Sequence, residues 1–137
     1  AIFEATSDGL IINDLDTGGI VEANPAACRM HGYTYEEFVG LHPSAIIHPD
    51  DHAAFADFLQ IVRDGGQFRG RARDIRKDGS LLQVEVTSAE RVSRMSASRY
   101  AATLSRVAST GSALCVVSAS PASRRASATA VSRSRAR

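Results

Sequence analysis

Imidazole and carboxylate side chains, which can bind divalent metals and move protons, are concentrated between residues 42 and 52. His48, Asp50 and Asp51 are close neighbours there, and His42 and His52 lie nearby. Such groups can bind a zinc ion that activates water for hydrolysis. They also suit a helix start, because proline is favoured at the first helical position and carboxylates are stabilised by the helix dipole. The segment thus has two interpretations, a metal site and a helix N-terminus.

The order His48-Pro49-Asp50-Asp51 resembles the His-Pro-Asp-Asp-Glu metal motif of zinc-dependent sugar deacetylases. In that family the motif follows a central parallel strand, and a glutamate stands fifth. Here His52 stands fifth, and only the short run 45–47 precedes the motif. Because a short motif outside its structural context is weak support for a function, we favour the helix start. A zinc-dependent hydrolase remains the alternative.

Two cysteines could supply a nucleophilic thiol. Cys28 lies between Ala27 and Arg29 in an amphipathic segment, which favours a buried, inert thiol. Cys28 and Cys115 are too few for a disulfide framework, so a reducing cytoplasm is the expected location. The sequence has no glycine-rich phosphate loop and no spacing typical of a Ser-His-Asp triad. We therefore predict no catalytic residues.

The elements that must position these side chains are short. Residues 10–12 and 20–23 predict two strands joined by a glycine-containing turn. Asn24 and Pro25 then begin a helix of about two turns, which Gly32 ends.

A second helix start follows at once. Thr34 and Glu37 have the spacing of a capping box, and Tyr33 and Phe38 have that of a hydrophobic staple. Gly40 ends this helix. We expect the helix to lie on the sheet through Phe38.

The longest predicted helix begins at Asp50 or Asp51 and ends at the glycines 65–66. Its apolar stripe faces a core and consists of Phe55, Phe58, Leu59 and Val62.

Residues 67–76 and 80–90 alternate polar and apolar side chains and predict a hairpin. A two-residue turn would place the arginines of its first strand on the same face as the valines of its second. A three-residue loop, 77–79, instead places Arg71 opposite Glu85, and polarity favours it. The sheet then has one wet face and one dry face that the helices cover.

Five motifs in this order resemble those of a PAS sensory domain. They are Asp16-Thr-Gly-Gly-Ile20, Glu22-Ala-Asn-Pro25, Gly32-Tyr33 with Glu36-Glu-Phe-Val-Gly40, His48-Pro-Asp-Asp51 and Arg76-Lys-Asp-Gly-Ser80. The resemblance covers about residues 2–92. It implies an α+β fold in which an antiparallel sheet carries short helices on one face.

The same resemblance implies a sensory input module of a bacterial signal-transduction protein, such as a two-component system. Its partner would be an output kinase, cyclase or regulator domain absent from this chain, and it can form a homodimer. Relatives bind haem or flavin, but these residues support neither cofactor. Cys28 precedes the position of the reactive cysteine in the flavin-binding relatives, and His52 lies at the wrong end of the long helix for a haem ligand.

Small side chains predict a ligand cavity on the dry face. Gly70 and Ala72 lie there opposite the longer Val84 and Val86, so either a helix approaches closely or space remains. PAS relatives commonly use that space for a ligand, and such pockets are mostly apolar. The candidate pocket residues are Ile12, Met30, Phe38, Phe55, Phe58, Gly70, Ala72 and Val84.

Residues 93–137 differ in composition from residues 1–92. The first 92 residues hold all 15 acidic residues and 8 of the 16 basic ones, a net charge of −7, whereas the tail holds 8 arginines and no acid, a net charge of +8. Serine, alanine and arginine make up 31 of its 45 residues. We expect either a disordered linker or an out-of-frame reading of GC-rich DNA.

The composition of the tail also determines whether we expect the sheet to have its fifth strand. A PAS fold needs a fifth strand at its centre, and the only apolar run left is 113–117. We therefore expect the fifth strand to be missing or replaced by the tail. The arginines could bind nucleic acid through charge alone. No apolar run approaches the length of a membrane span.

Overall fold

The computed structural model describes residues 7–88 and 112–120. Five strands form one antiparallel sheet: β1 (Gly9–Asp14), β2 (Ile20–Ala23), β3 (Arg69–Ile75), β4 (Leu81–Ser88) and β5 (Ser112–Ala119). Three α-helices lie between β2 and β3: α1 (Pro25–His31), α2 (Tyr35–Phe38) and α3 (His52–Arg63). Two 3-10 helices, Pro43–Ala45 and Pro49–Asp51, connect α2 to α3.

The sheet has the order β2-β1-β5-β4-β3, so a strand from the arginine-rich tail lies at its centre. β5 pairs with β1 on one side, where Ile11 faces Cys115, and with β4 on the other, where Val86 faces Val117. We expected the fifth strand to be either missing or replaced by the tail, and in the structure the tail replaces it. The expected domain boundary at residue 92 lies outside the described residues.

The helices cover one face of the sheet, as predicted, and the main hydrophobic core lies between them. Ile11, Phe58 and Val84 are among its buried members. The other face is not wet across its whole width, contrary to the sequence-based prediction. Leu10 and Leu114 lie on it and have no exposed surface. Among the described residues, the β3–β4 end of this face has the expected exposed polar side chains, such as Arg71.

The first helix begins and ends as predicted. Asn24 Oδ1 accepts a hydrogen bond from the backbone N–H of Ala27 at 3.0 Å and another from that of Leu10 at 2.8 Å. The side chain therefore caps α1 and fixes it to β1. Gly32 ends the helix with a φ of 78°, which a residue with a Cβ atom adopts only at a cost.

The second helix start is also confirmed. Thr34 and Glu37 form the reciprocal capping box. The rings of Tyr33 and Phe38 lie 5.8 Å apart between centroids, as expected of a staple. Phe38 is fully buried.

The hairpin has the predicted three-residue loop. Arg71 pairs with Glu85, and Ala72 with Val84. Gly79 has a φ of 87°, as the left-handed position of the loop requires. The phase of both strands, and so the face on which each side chain lies, is therefore the predicted one.

Among residues 7–88 and 112–120, no helix combines the length and the apolar character required to cross a bilayer.

Candidate functional site

A cavity of about 70 Å³ lies between α3 and the inner face of the sheet. Its apolar walls come from every layer of the fold: Ile11, Ile20, Pro43, Ile46, Ile47, Ala54, Phe55, Phe58, Phe68, Ala72, Val86 and Val117. Asn13, Asp51, Arg71, Asp74 and Cys115 add polar or charged groups. A small, mostly apolar cavity with few polar groups is typical of a ligand site.

Three of the eight pocket residues proposed from the sequence line this cavity. They are Phe55 and Phe58 of α3 and Ala72 of β3. The two rings lie 5.9 Å apart and nearly parallel. The helical period placed the two phenylalanines on the core-facing side of α3, and the hairpin register placed Ala72 beneath them.

The remaining five candidates lie elsewhere. Ile12 belongs to the opposite face of the sheet, because Ile11 faces the cavity and successive side chains alternate. Met30 of α1 packs against the core, and Phe38 of α2 and Val84 of β4 are buried members of it. At Gly70, a Cβ atom would lie 3.0 Å from the Phe68 ring, so Phe68 fills the space that the missing side chain leaves.

Sequence reasoning missed the polar residues of the cavity. Cys115 and Val117 belong to the apolar run 113–117, which the sequence offers as a replacement strand but does not place at the cavity. In the alternation of β3, Asp74 falls on the dry face with Gly70 and Ala72, whereas charged side chains are expected on the wet face. A carboxylate at a dry-face position is the signal that could have identified Asp74.

Asp74 and His31, which ends α1, form a buried hydrogen-bonded pair. His31 Nε2 lies 2.7 Å from Asp74 Oδ2, and the two residues are 0% and 5% exposed. His31 Nδ1 lies 2.7 Å from the backbone oxygen of Ala27. A carbonyl oxygen can only accept, so Nδ1 carries a proton. The pair therefore links α1 to β3 through the core.

Asn13 and Cys115 form a second polar contact at the cavity wall. The thiol of Cys115 lies 3.4 Å from Asn13 Oδ1, and Asn13 Nδ2 donates to the backbone oxygen of Gly18 at 3.0 Å. Burial raises the pKa of the Cys115 thiol far above its ordinary value. Burial likewise raises the pKa of Cys28, which is 6% exposed. Both thiols are buried, as the sequence predicts for Cys28.

The His48-Pro49-Asp50-Asp51 segment forms a helix start. His48 Nδ1 accepts from the backbone N–H of Asp50 at 3.2 Å, within the second 3-10 helix. Asp51 occupies the cap position of α3 but makes no capping hydrogen bond there, contrary to the prediction that Asp50 or Asp51 caps this helix. Its carboxylate binds Arg73 instead, at 3.2 Å. The guanidinium competes successfully because it is charged and can bind both oxygens.

The other two histidines of the segment bind backbone oxygens. His52 Nε2 lies 2.9 Å from the oxygen of Ile47, and His42 Nε2 lies 3.2 Å from that of Thr17. Among residues 7–88 and 112–120, no three histidine, cysteine or carboxylate side chains are grouped so that they could hold a metal ion. The eight arginines of the tail all lie outside the described residues.

A five-stranded antiparallel sheet with short helices and a cavity on one face defines an α+β fold. The family model for the PAS fold matches residues 1–101. The chain therefore belongs to the PAS family.

Solved structures of PAS domains share the fold. A domain of a sensory box sensor histidine kinase/response regulator from Geobacter sulfurreducens is 24% identical, with a TM-score of 0.64 over 85% of this chain and 86% of that one. A PAS domain from Colwellia psychrerythraea is 19% identical, with a TM-score of 0.64 over 86% and 90%. A PAS domain of an HTR-like protein from Haloarcula marismortui is 21% identical, with a TM-score of 0.63 over 88% and 87%. No curated protein matches the chain.

Proposed function

We propose that this chain is the sensory input module of a signal-transduction protein and binds a small ligand in the cavity under α3. The observation that carries the proposal is the cavity itself, whose walls are mostly apolar but include the buried carboxylate of Asp74. A well-packed core leaves few voids of this size. Membership of the PAS family supports a sensory role rather than catalysis.

Residues of the central strands of the sheet form part of the cavity wall. Val117 of β5 and Ile11 of β1 line it, and β5 lies between β1 and β4. A ligand that binds one arrangement of α3 and the sheet more tightly than another shifts their populations. The shift would pass to an output kinase, cyclase or regulator domain. We place the module in the bacterial cytoplasm, where a second copy of the chain can be its partner.

Ligand binding can be tested by filling the cavity. In the Ala72→Leu variant a larger side chain occupies it, and in the matched Thr87→Leu variant the same side chain is added on the opposite face of the adjacent strand. Small molecules are screened against the wild-type chain for saturable changes in the amide NMR signals of Ala72, Val86 and Val117. A hit at ten times its Kd should stabilise the wild-type chain by about 1.4 kcal/mol.

The two variants give opposite expected results. Ala72→Leu should abolish binding of every hit, whereas Thr87→Leu should leave the Kd within about twofold of the wild-type value. Hits that bind Ala72→Leu as well as the wild-type chain would place the ligand elsewhere and overturn the proposal.

The zinc-dependent hydrolase is supported by no contact of the described residues, because Asp51 is bound to Arg73 and His52 to a backbone oxygen.

A further inference from the structure

The edge of the sheet formed by β3 is covered along one half of its length. β3 is the last strand in the sheet order, so the backbone groups on one side of it face away from β4. The outward oxygen of Arg73 accepts from the N–H of His48 at 2.9 Å. The outward N–H of Ile75 donates to the oxygen of Ile46 at 2.6 Å. The segment 46–48 therefore pairs antiparallel with the C-terminal half of β3.

The N-terminal half of the same edge is open. The direction of hydrogen bonding alternates along a strand, so Arg69 and Arg71 direct their backbone N–H and C=O groups outward, as Arg73 does. Within residues 7–88 and 112–120, no group binds these outward N–H and C=O groups. The covering segment turns away from the edge at Pro49, where its 3-10 helix begins. A row of unpaired backbone groups is a template for an added strand.

Basic side chains are concentrated along this edge. Among residues 7–88, five of the seven basic residues lie at positions 69–77, so the edge is a basic strip on an otherwise acidic domain. Arg69 has no ion pair with any described residue. The Arg71 side chain is 86% exposed and reaches Glu85 at 3.8 Å. The open half of the edge therefore has two arginines whose charges are little compensated.

The charge of these arginines selects the strand that can pair with the edge. If the β3 edges of two copies paired about Gly70, Arg69 of one copy would lie opposite Arg71 of the other, and directly opposed like charges destabilise a sheet. A strand with carboxylates at alternate positions would instead place one of them beside each arginine, on the same face. We propose that the open half of the β3 edge binds an extended acidic segment of a partner protein, with the pattern Glu-x-Glu, as an added antiparallel strand.

The middle residue of this pattern would lie beside Gly70, on the inner face of the sheet. There the Phe68 ring occupies the place of a side chain, since a Cβ atom on Gly70 would lie 3.0 Å from it. Phe68 is half-buried, so an apolar middle residue such as valine can cover the rest of the ring. Because the segment 46–48 already covers the strand from Arg73 onward, the added strand is limited to the positions opposite residues 69–71. The edge lies outside the cavity, so strand addition does not require a ligand there.

The test uses a short peptide whose two glutamates have the spacing of Arg69 and Arg71. Acetyl-Thr-Glu-Val-Glu-Thr-amide is titrated into the full chain at low salt, and the amide NMR signals of Arg69, Gly70 and Arg71 are followed. A peptide that adds one short strand should bind with a Kd on the order of 1 mM. The matched peptide with lysine in place of both glutamates should bind at least about tenfold more weakly.

Methylation of the peptide backbone separates strand pairing from charge attraction. In the antiparallel register the N–H groups of both glutamates face β3, and that of the valine faces away. N-methylation of the two glutamates should therefore abolish binding. N-methylation of the valine should leave the Kd within about threefold of that of the unmodified peptide.

A charge reversal on the protein should reverse the preference. In the double variant Arg69→Glu, Arg71→Glu, the lysine peptide should bind more tightly than the glutamate peptide. Both side chains are exposed, so the variant is expected to fold. Arg29→Glu changes an exposed arginine of α1 and should retain the wild-type preference for the glutamate peptide.

Three results would overturn the proposal. One is the absence of any change in the amide signals of residues 69–71 at the highest concentration of the glutamate peptide. Another is binding that is insensitive to the methylated position or to the charge reversal, since the peptide would then be attracted to the arginines of residues 93–137. The third is a dependence of these signals on protein concentration without peptide, since a second copy of the chain would then occupy the edge.

Discussion

Arg73 binds Asp51 through both its backbone and its side chain. The backbone N–H of Arg73 donates to Asp51 Oδ2 at 2.8 Å, and Nη2 donates to Oδ1 at 3.2 Å. Asp51 immediately precedes α3, and Arg73 lies in the middle of β3. This contact therefore fixes the start of α3 against the sheet, at the wall of the cavity.

The first prediction concerns the pH dependence of this contact. The hydrogen bonds from Arg73 hold the pKa of Asp51 below its ordinary value of 3.8. A lowered pKa in the folded state gives stability that is present above the ordinary value and is lost as the pH falls through the folded-state pKa. Asp51→Asn should therefore lower the free energy of unfolding by about 1–2 kcal/mol at pH 7. The difference from wild type should disappear in strong acid.

Asp50→Asn is the matched control for this measurement. Asp50 lies 3.6 Å from Arg73 Nη2 and its side chain is 71% exposed, so its removal should cost less than about 0.5 kcal/mol. Urea denaturation of the three proteins at pH 7 and at pH 2 provides the comparison. An equal loss for both variants at pH 7 would contradict the role given to Asp51.

The second prediction concerns α2. Phe38 is fully buried against His31 and Tyr33, with ring centroids 5.1 and 5.8 Å away. Phe38→Ala should lower the free energy of unfolding by about 3–5 kcal/mol, because a cavity remains in the core. Thr34→Ala removes a cap and should cost about 1 kcal/mol. Thermal denaturation with Glu36→Ala as the exposed control measures both, and an unchanged melting temperature for Phe38→Ala would show that α2 does not pack on the sheet.

Local signals account for the elements that were predicted correctly. The caps at Asn24 and Thr34 depend on residues three positions apart, and the hairpin register follows from an alternation on either side of a short loop. In each case the interacting groups are close in sequence. The spacing of these residues therefore predicts the caps and the hairpin register, and the order of the predicted elements along the chain predicts the fold class.

The parts that were predicted wrongly or missed depend on long-range contacts. The apolar run 10–12 has no polar residue to set its phase, so Ile12 was assigned to the cavity although Ile11 faces it. His31 and Asp74 are 43 residues apart, and neither has a neighbour that indicates the other. Asp51 appeared to be a cap because the competing guanidinium of Arg73 lies 22 residues away. A sequence pattern contains no information on such pairs.

The third prediction concerns the hairpin. Arg71 and Glu85 face each other across the strands, with 3.8 Å between Nε and Oε1, and the Arg71 side chain is 86% exposed. Because solvent screens the pair, a double-mutant cycle with Arg71→Ala and Glu85→Ala should give a coupling energy of at most about 1 kcal/mol. The coupling should fall further in 1 M salt. A coupling above about 2 kcal/mol that is insensitive to salt would require a buried contact that this register does not contain.

The fourth prediction concerns β5. This strand lies between β1 and β4, and Leu114 and Val117 are buried on its two faces. A chain ending at residue 111 would leave both neighbouring strands with unpaired edges and should be unfolded by circular dichroism. A chain ending at Ser120 keeps the strand and should retain the fold. If the shorter chain folds as well as the longer one, β5 does not stabilise the sheet as described.

The last prediction is that residues from about 93 onward are an out-of-frame reading. Residues 93–137 contain no Asp, Glu, Lys, Asn, Gln, His, Ile, Phe or Trp, and are rich in the residues with GC-rich codons. β5 is built from this segment, yet it lacks the Asp-Val-Thr or Asp-Ile-Thr junction with which PAS relatives close their last strand and enter the output helix. Val116 and Val117 supply apolar surface for the central position, but the residues after them carry no acid.

We therefore expect the chain to be marginally stable, and one of the other two reading frames after Val92 to encode a β-rich run closed by Asp-x-Thr. A chain with that run in place of residues 93–137 should melt at a higher temperature, because the central strand would then carry side chains selected for both neighbours. DNA sequencing across the codon for Val92 and thermal denaturation of the two chains provide the measurement. If neither frame encodes such a run, the segment is a true linker that also supplies the central strand.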